Sequence, residues 1–274
     1  MRDPSSPILP MNRPLSGLKP ASFPALRSIG ALMLREMVAT YGRNPGGYVW
    51  AVLEPIGTIA IFALGFSLFI HKPPLGSDFL LFFATGFLPF SMYLSISTKV
   101  QLALRYSLPL LNYPRVVWID AVIARLALAV ITDLTVMFIV LSTLIWLGRD
   151  QMLLDFAPML TGLGMIVIGA TGIGLINGLL AGLVPIWPTL WNIINRPIFL
   201  ASGVLFLFDS MPSVAQDFLW WNPLLQAISE FRSGFYSGYD PDFISLPYVF
   251  GVTMVLLTMG LLVMRKWHKI ALER

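Results

Sequence analysis

The chain has 274 residues, 57% of them hydrophobic and 12% charged, and a net charge of +4. A soluble domain carries about 25% charged residues, so the composition excludes an ordinary soluble protein and points to an all-α membrane protein with several spans. There is no cysteine, and the two histidines, His71 and His268, lie just outside apolar runs; this excludes disulfides and Cys-ligated metals and leaves little for His-dependent chemistry.

Residues 1–22 are rich in Pro and Ser and lack the apolar core of a signal peptide, which predicts a disordered cytoplasmic leader. Residues 23–274 read as a single transmembrane domain. Its first element, residues 24–43, repeats Leu26, Ile29, Met33, Met37 and Tyr41 at helical spacing. Arg27, Ser28 and Arg35 fall on or near the opposite side, and Thr40 is a polar exception close to the apolar stripe. This is the pattern of an interfacial amphipathic helix, and a simple membrane anchor is an equally weighted reading. The chain then turns at Asn44-Pro45-Gly46-Gly47 and enters the membrane.

Six apolar runs are long enough to cross a bilayer, at residues 48–70, 79–97, 119–147, 152–184, 189–208 and 246–264. About twenty apolar residues are needed for one crossing. The fourth run is overlong and implies a tilt or an interfacial turn. Arg2, Arg13, Lys19, Arg27, Arg35 and Arg43 precede the first run; Lys99, Arg105 and Arg115 follow the second; Arg265, Lys266, Lys269 and Arg274 follow the last. The alternate connections hold only Lys72, Arg149 and Arg232. Positive charge marks the cytoplasmic side, so both termini are expected there.

Three segments are more than spans or plain loops. Residues 99–118 are cytoplasmic on this topology yet rich in leucine and broken by Pro109 and Pro114. A greasy, basic stretch of this kind suits docking onto another protein or packing beneath its own membrane domain. In the fourth run Gly162, Gly164, Gly169 and Gly172 precede Gly174, Gly178 and Gly182, which recur every four residues, a strip that lets helices approach closely. Residues 209–245 form an external connection of 37 residues with five acids against Arg232 alone. Leu224, Ala227, Ile228, Phe231 and Phe235 form an apolar stripe behind the Asn222-Pro223 helix start. This predicts short re-entrant helices before the last span, since irregular backbone at membrane depth must be covered by protein.

Glu54, Asp120, Arg125, Asp133, Asp155 and Arg196 lie in or at the edges of spans. Each needs a partner or a polar cavity, because an unpaired charge there is costly. Glu54, Arg125 and Arg196 fall at similar depths, about 9 to 13 Å from the cytoplasmic side. The simplest reading pairs Glu54 with one arginine; the alternative has an arginine facing an anionic cargo. Asp133 suits either proton coupling or a plain hydrogen bond. No G-x-x-x-x-G-K-S/T, H-E-x-x-H or G-x-S-x-G motif is present, so the chain neither cradles ATP itself nor carries a recognisable hydrolytic centre.

The motif Leu34-Arg35-Glu36 followed by Gly47-Tyr48-Val49-Trp50-Ala51-Val52-Leu53-Glu54-Pro55 resembles that of type-2 ABC transporter permeases that export polysaccharides. Leu111-Asn112-Tyr113, then Ile119-Asp120 with Ile123-Ala124-Arg125, and Trp221-Asn222-Pro223-Leu224 match the same family in the same order. The likeness is greatest to the capsular-polysaccharide exporter permeases of Gram-negative bacteria. It implies an inner-membrane homodimer of six-span subunits bound to a separate ATPase chain that holds the ATP and Mg. The cargo would be a lipid-linked acidic capsular polysaccharide. A periplasmic adaptor and outer-membrane export proteins would complete the route. Arg35 and Arg43 would belong to a gate helix, and Arg105, Tyr106, Leu108 and Leu111 to the ATPase coupling segment. Sugar rings stack on aromatic faces, so Trp187, Trp191, Trp220 and Trp221, with Arg125 and Arg196, are candidates for the cargo path. Interfacial anchoring is the alternative for each tryptophan. An O-antigen, teichoic acid or drug permease, a membrane enzyme acting on lipid-linked glycans and a scaffold for glycan synthesis are the competing readings. The enzyme would need a cluster of carboxylates, His or Lys at one membrane face, which the scattered acids do not form.

Overall fold

A computed structural model of the protein describes residues 24–41, 47, 49–67, 73–103, 105–106, 117–148 and 153–272. The leader, Arg43, Leu108 and Leu111 lie outside the described residues. Every regular element among the described residues is helical: α1 (Pro24–Tyr41), α2 (Val49–Ser67), α3 (Phe79–Gln101), α4 (Trp118–Leu147), α5 (Phe156–Leu183), α6 (Trp187–Ala201), α7 (Ser213–Leu219), α8 (Pro223–Ser233) and α9 (Leu246–Leu272). A 3₁₀ turn at Phe208–Ser210 precedes α7.

Among the described residues four helices are long and apolar enough to cross a membrane: α3, α4, α5 and the Leu246–Trp267 part of α9. α4 has 30 residues and rises about 45 Å, so it must tilt or project beyond a hydrocarbon core of about 30 Å. α2 has 19 residues. The predicted span at 189–208 takes a different form. Its helix, α6, stops at Ala201 after 15 residues, about 23 Å of rise. Gly203 then adopts φ +69°, a left-handed conformation that ends the helix and that a residue with a Cβ resists.

Local chemistry sets the helix starts. Asp78 Oδ1 accepts from Leu80 N at 2.9 Å and Asp155 Oδ1 accepts from Ala157 N at 2.9 Å, each satisfying a free donor of a first turn. Asp120, counted above among the membrane charges, belongs to the same class: Oδ2 accepts from Val117 N at 3.2 Å, and its charge complements the helix N-terminus.

The centre of the bundle is α5, which packs against α3, α8 and α9. Its glycines make that possible. A Cβ on Gly172 would lie 2.5 Å from the backbone of Leu256 and Leu257 in α9, and one on Gly174 would lie 2.8 Å from Ser97 O in α3. Gly162 meets α8 equally closely, with a Cβ 2.6 Å from Ala227 O. In lipid, where apolar surface gains nothing by leaving water, such close approach is the main source of helix–helix attraction. α8 is inserted among α3, α5 and α9, and its Leu225, Ile228 and Phe231 are fully buried.

Gly172→Ala should therefore lower the thermal unfolding midpoint in lipid nanodiscs, by the equivalent of about 1–3 kcal/mol for an overpacked contact. Gly164→Ala, on the same helix but with nothing within 4 Å of the new Cβ, should leave it unchanged. Equal responses would show that the α5 glycines do not set the packing distance.

Candidate functional site

At the end of the bundle that carries Lys99 and Arg105, one guanidinium holds three elements together. Arg125 lies seven residues into α4, about 10 Å from its start, and is buried. Nη2 donates to Glu36 Oε1 on α1 in the one ion pair found among the described residues. Nη1 donates to Lys99 O at 3.3 Å near the end of α3. The guanidinium lies 4.3 Å from the ring centroid of Tyr106, just beyond α3, a separation at which a cation is attracted to the π-face. Arg125 thus ties α1, α4 and the connection leaving α3.

The expected pair of Glu54 with Arg125 or Arg196 is not found among the described residues. Glu54 is exposed on α2, and Arg125 is taken by Glu36. Helical spacing explains the exchange: Glu36 is three residues from Met33 and seven from Ile29, so it falls beside the apolar stripe that α1 turns toward α4. Arg27 and Arg35 are exposed, as their place opposite the stripe requires. Beside this junction, Arg105 Nη2 donates to Ala181 O at 3.0 Å, capping a carbonyl in the last turn of α5 where a cation is favoured.

α6 is built differently from the bundle, for none of its side chains is buried. Thr189, Asn192 and Arg196 are exposed and recur at three and four residues, forming one polar stripe. Trp187 stacks on Trp191 with ring centroids 6.3 Å apart, and Trp187 Nε1 donates to Asn177 Oδ1 on α5 at 2.9 Å. Tyr93 OH meets Asn195 Oδ1 at 3.5 Å, linking α6 to α3. Arg196 is not brought near Arg125 or Glu54 by any ion pair among the described residues.

At the opposite end the two adjacent tryptophans have separate fates. Trp220 stacks on Tyr248, with centroids 5.1 Å apart, and its Nε1 donates to Phe243 O at 3.0 Å, so it fastens the segment to α9. Trp221 is 64% exposed, close to the exposed Phe218 in sequence. Asn222 does two jobs in the Trp-Asn-Pro-Leu motif. Its Oδ1 caps α8 by accepting from Leu224 N at 3.0 Å, and its Nδ2 donates to Ala201 O at 2.9 Å, the last residue of α6.

Arg232, read from sequence only as a lone cation among acids, is 1% exposed and pairs with none of them. Nη1 donates to Gly203 O at 2.5 Å, and Nη2 donates to Val204 O at 2.9 Å and Phe82 O at 3.3 Å. The guanidinium also lies 4.3 Å from the Phe82 ring centroid. Burial pushes its pKa down to about 10, which still leaves it protonated at neutral pH. No periodicity marks this role; the only signal is an arginine inside an otherwise apolar helical stripe.

Over the described residues no cluster of His, Cys, Asp or Glu has metal-binding geometry. The chain is similar to three transport and export proteins along most of its length. The polysialic acid transport protein KpsM of Escherichia coli is 29% identical over 239 residues, covering 87% of this chain and 92% of that protein. The capsule polysaccharide export inner-membrane protein CtrC of Neisseria meningitidis serogroup A is 24% identical over 243 residues, covering 89% and 92%. BexB of Haemophilus influenzae, another capsule polysaccharide export inner-membrane protein, is 24% identical over 244 residues with the same coverage. Residues 27–236, from the first turn of α1 to just past α8, match the ABC-2 type transporter family, and the chain belongs to that family.

Proposed function

We propose that the chain is the membrane permease of an ATP-driven exporter that carries a lipid-linked acidic capsular polysaccharide across the bacterial inner membrane. The observation that carries this reading is the alignment of nearly the whole chain with three proteins named for capsule polysaccharide or polysialic acid transport. The basic end of the bundle is then cytoplasmic, and α2 and α6 complete six crossings. Hydrolysis resides on a separate ATPase chain, which docks on the connection leaving α3 through Arg105 and Tyr106. Two copies of the permease face each other, and a periplasmic adaptor with outer-membrane proteins receives the polymer.

On this reading the junction at Arg125 is the transmission point. A push on the docking connection reaches Tyr106, and Tyr106 and Lys99 O share one guanidinium with Glu36 of the gate helix. Arg125 therefore positions rather than greets the cargo. The cargo path falls to α6, whose stripe of Thr189, Asn192 and Arg196 offers hydroxyl, amide and cationic groups to sugars and carboxylates. Trp187 and Trp191 flank that path. Trp221 and α8, a short helix inserted from the far side, stand at its exit.

Deleting the chain from its host should abolish surface polymer and leave polymer inside the cell, and the tagged chain should bring down an ATPase. Normal surface polymer in the deletion strain would overturn the proposal. Arg196→Ala should cut export severalfold without lowering the unfolding midpoint, as measured by surface polymer at matched expression.

Glu36→Gln and Arg125→Gln should each destabilise the protein by about 1.5–3 kcal/mol, the cost of losing a hydrogen bond between charged groups, below that of a sealed pair because the Glu36 side chain is 24% exposed. The double variant should lose clearly less than the sum, which nanodisc unfolding of all four proteins would reveal. Additive losses would separate α1 from Arg125.

The tryptophans should divide in the same way. Trp220→Leu should lower stability, because it removes a stacking partner and a buried donor. Trp221→Leu should slow export at unchanged stability, since Leu keeps the hydrophobicity but loses the flat stacking face. The reverse pattern in paired unfolding and export assays would contradict these roles.

A further inference from the structure

α2 leans on α3 more than on α4, and an apolar groove is left between α2 and α4. Its larger part encloses about 470 Å³ and is lined by Met33 and Met37 of α1, Val52 of α2, and Leu128, Thr135 and Ile139 of α4. A narrower part of about 130 Å³ continues along the same two helices between Ile56, Ile59 and Val140. Two of the threonine hydroxyls are spent within α4: Thr135 Oγ1 donates to Ile131 O and Thr143 Oγ1 donates to Ile139 O, both at 2.7 Å. With Thr132 the one other polar residue of the larger part, the walls are predominantly apolar and suit hydrocarbon rather than a sugar.

Size and position narrow the occupant. The larger part spans the twelve residues from Leu128 to Ile139, about 17 Å along the helix. That is close to half of a hydrocarbon core of about 30 Å, the depth of one leaflet. A volume of 470 Å³ over this length gives a cross-section on the order of 30 Å², against on the order of 80 Å² for a helix about 10 Å across. A single hydrocarbon chain fits along it. The groove is closed at its basic end by Met33 and Met37 of α1. Methionine side chains at that end adapt to an irregular apolar guest.

We propose that this groove is a binding site for one acyl chain of a phospholipid from the leaflet at the basic end. The chain completes the α1–α2–α4 junction and wedges α1 from the Met33–Met37 side while Glu36 holds it to Arg125. The site is independent of the nature of the cargo. Full-length protein extracted from a host that makes no capsule polymer should retain one phospholipid per chain through exhaustive detergent exchange, as counted by native mass spectrometry. Ala51→Phe and Thr135→Phe, which plug opposite walls, should each cut that retention at least tenfold, while Leu262→Phe on the exposed side of α9 should not. In the unmodified protein a phospholipid with a photoreactive acyl chain, retained through the same exchange, should form adducts within residues 128–139. Adducts confined to other faces, equal retention in both plugged variants, or no retained phospholipid would overturn the proposal. So would retention seen only when lipid-linked polymer is made, which would assign the groove to the cargo.

Discussion

Where α6 stops at Ala201, the backbone leaves the helical ladder, and lipid supplies no donors for the carbonyls that are freed. Asn222 takes Ala201 O, and Arg232 takes Gly203 O and Val204 O. Arginine suits this place because its planar fork presents several donors at once and keeps its charge when buried. Carbonyls at a helix C-terminus carry partial negative charge, so the cation is stabilised without a carboxylate. The room for it comes from Gly86, where a Cβ would fall 2.2 Å from Nη2. The break in α6, the Trp-Asn-Pro-Leu turn and α8 are thus a single unit: none of the three satisfies its polar groups without the other two.

The opposite end is held by a different kind of bond. Arg232 is sealed, whereas the Glu36 partner of Arg125 keeps a 24% exposed side chain. Water near an ion pair weakens it and lowers the cost of separating it. The same guanidinium touches Lys99 O and Tyr106, so displacing the connection after α3 strains its hold on α1. A junction of this type can change partners; the carbonyl cluster around Arg232 has no comparable alternative. The bundle is accordingly rigid at one end and adjustable at the other.

Much of this was legible in the sequence. Hydropathy located the long helices, the glycine strip in α5 marked the closest contacts, and Asn222-Pro223 opened α8 with the predicted apolar stripe inward. The failures share a cause. Hydropathy measures what a segment avoids, and it does not say where a polar group finds its partner. Residues 202–208 are apolar enough to continue α6, yet Gly203 turns the chain because donors from Asn222 and Arg232 wait there. Glu54 was matched to Arg125 or Arg196 by depth, but α1 brings Glu36 to the depth of Arg125 from outside the span. Trp220 and Trp221 are adjacent and identical in type and both meet Tyr248, and only the face-on stack and the Nε1–Phe243 O bond of Trp220 separate the fastener from the exposed ring, which Tyr248 meets edge-on.

The least-covered elements carry the remaining implication. No side chain of α6 is buried, and among the described side chains of α2 only Ile59 is. Apolar residues on such helices can rest against lipid, but Asn192 and Arg196 cannot without a cost of several kcal/mol for the charge alone. That cost disappears if the stripe faces water, and a single amphipathic helix cannot enclose water. Two copies turned toward each other could, each supplying one wall. The short α6 would then widen the enclosure beyond Ala201, where a polymer chain leaves the helical wall and meets the exposed ring of Trp221. The absence of buried side chains on α6 is thus what the proposed homodimer requires, because a helix satisfied within its own chain would have no face left to give the path.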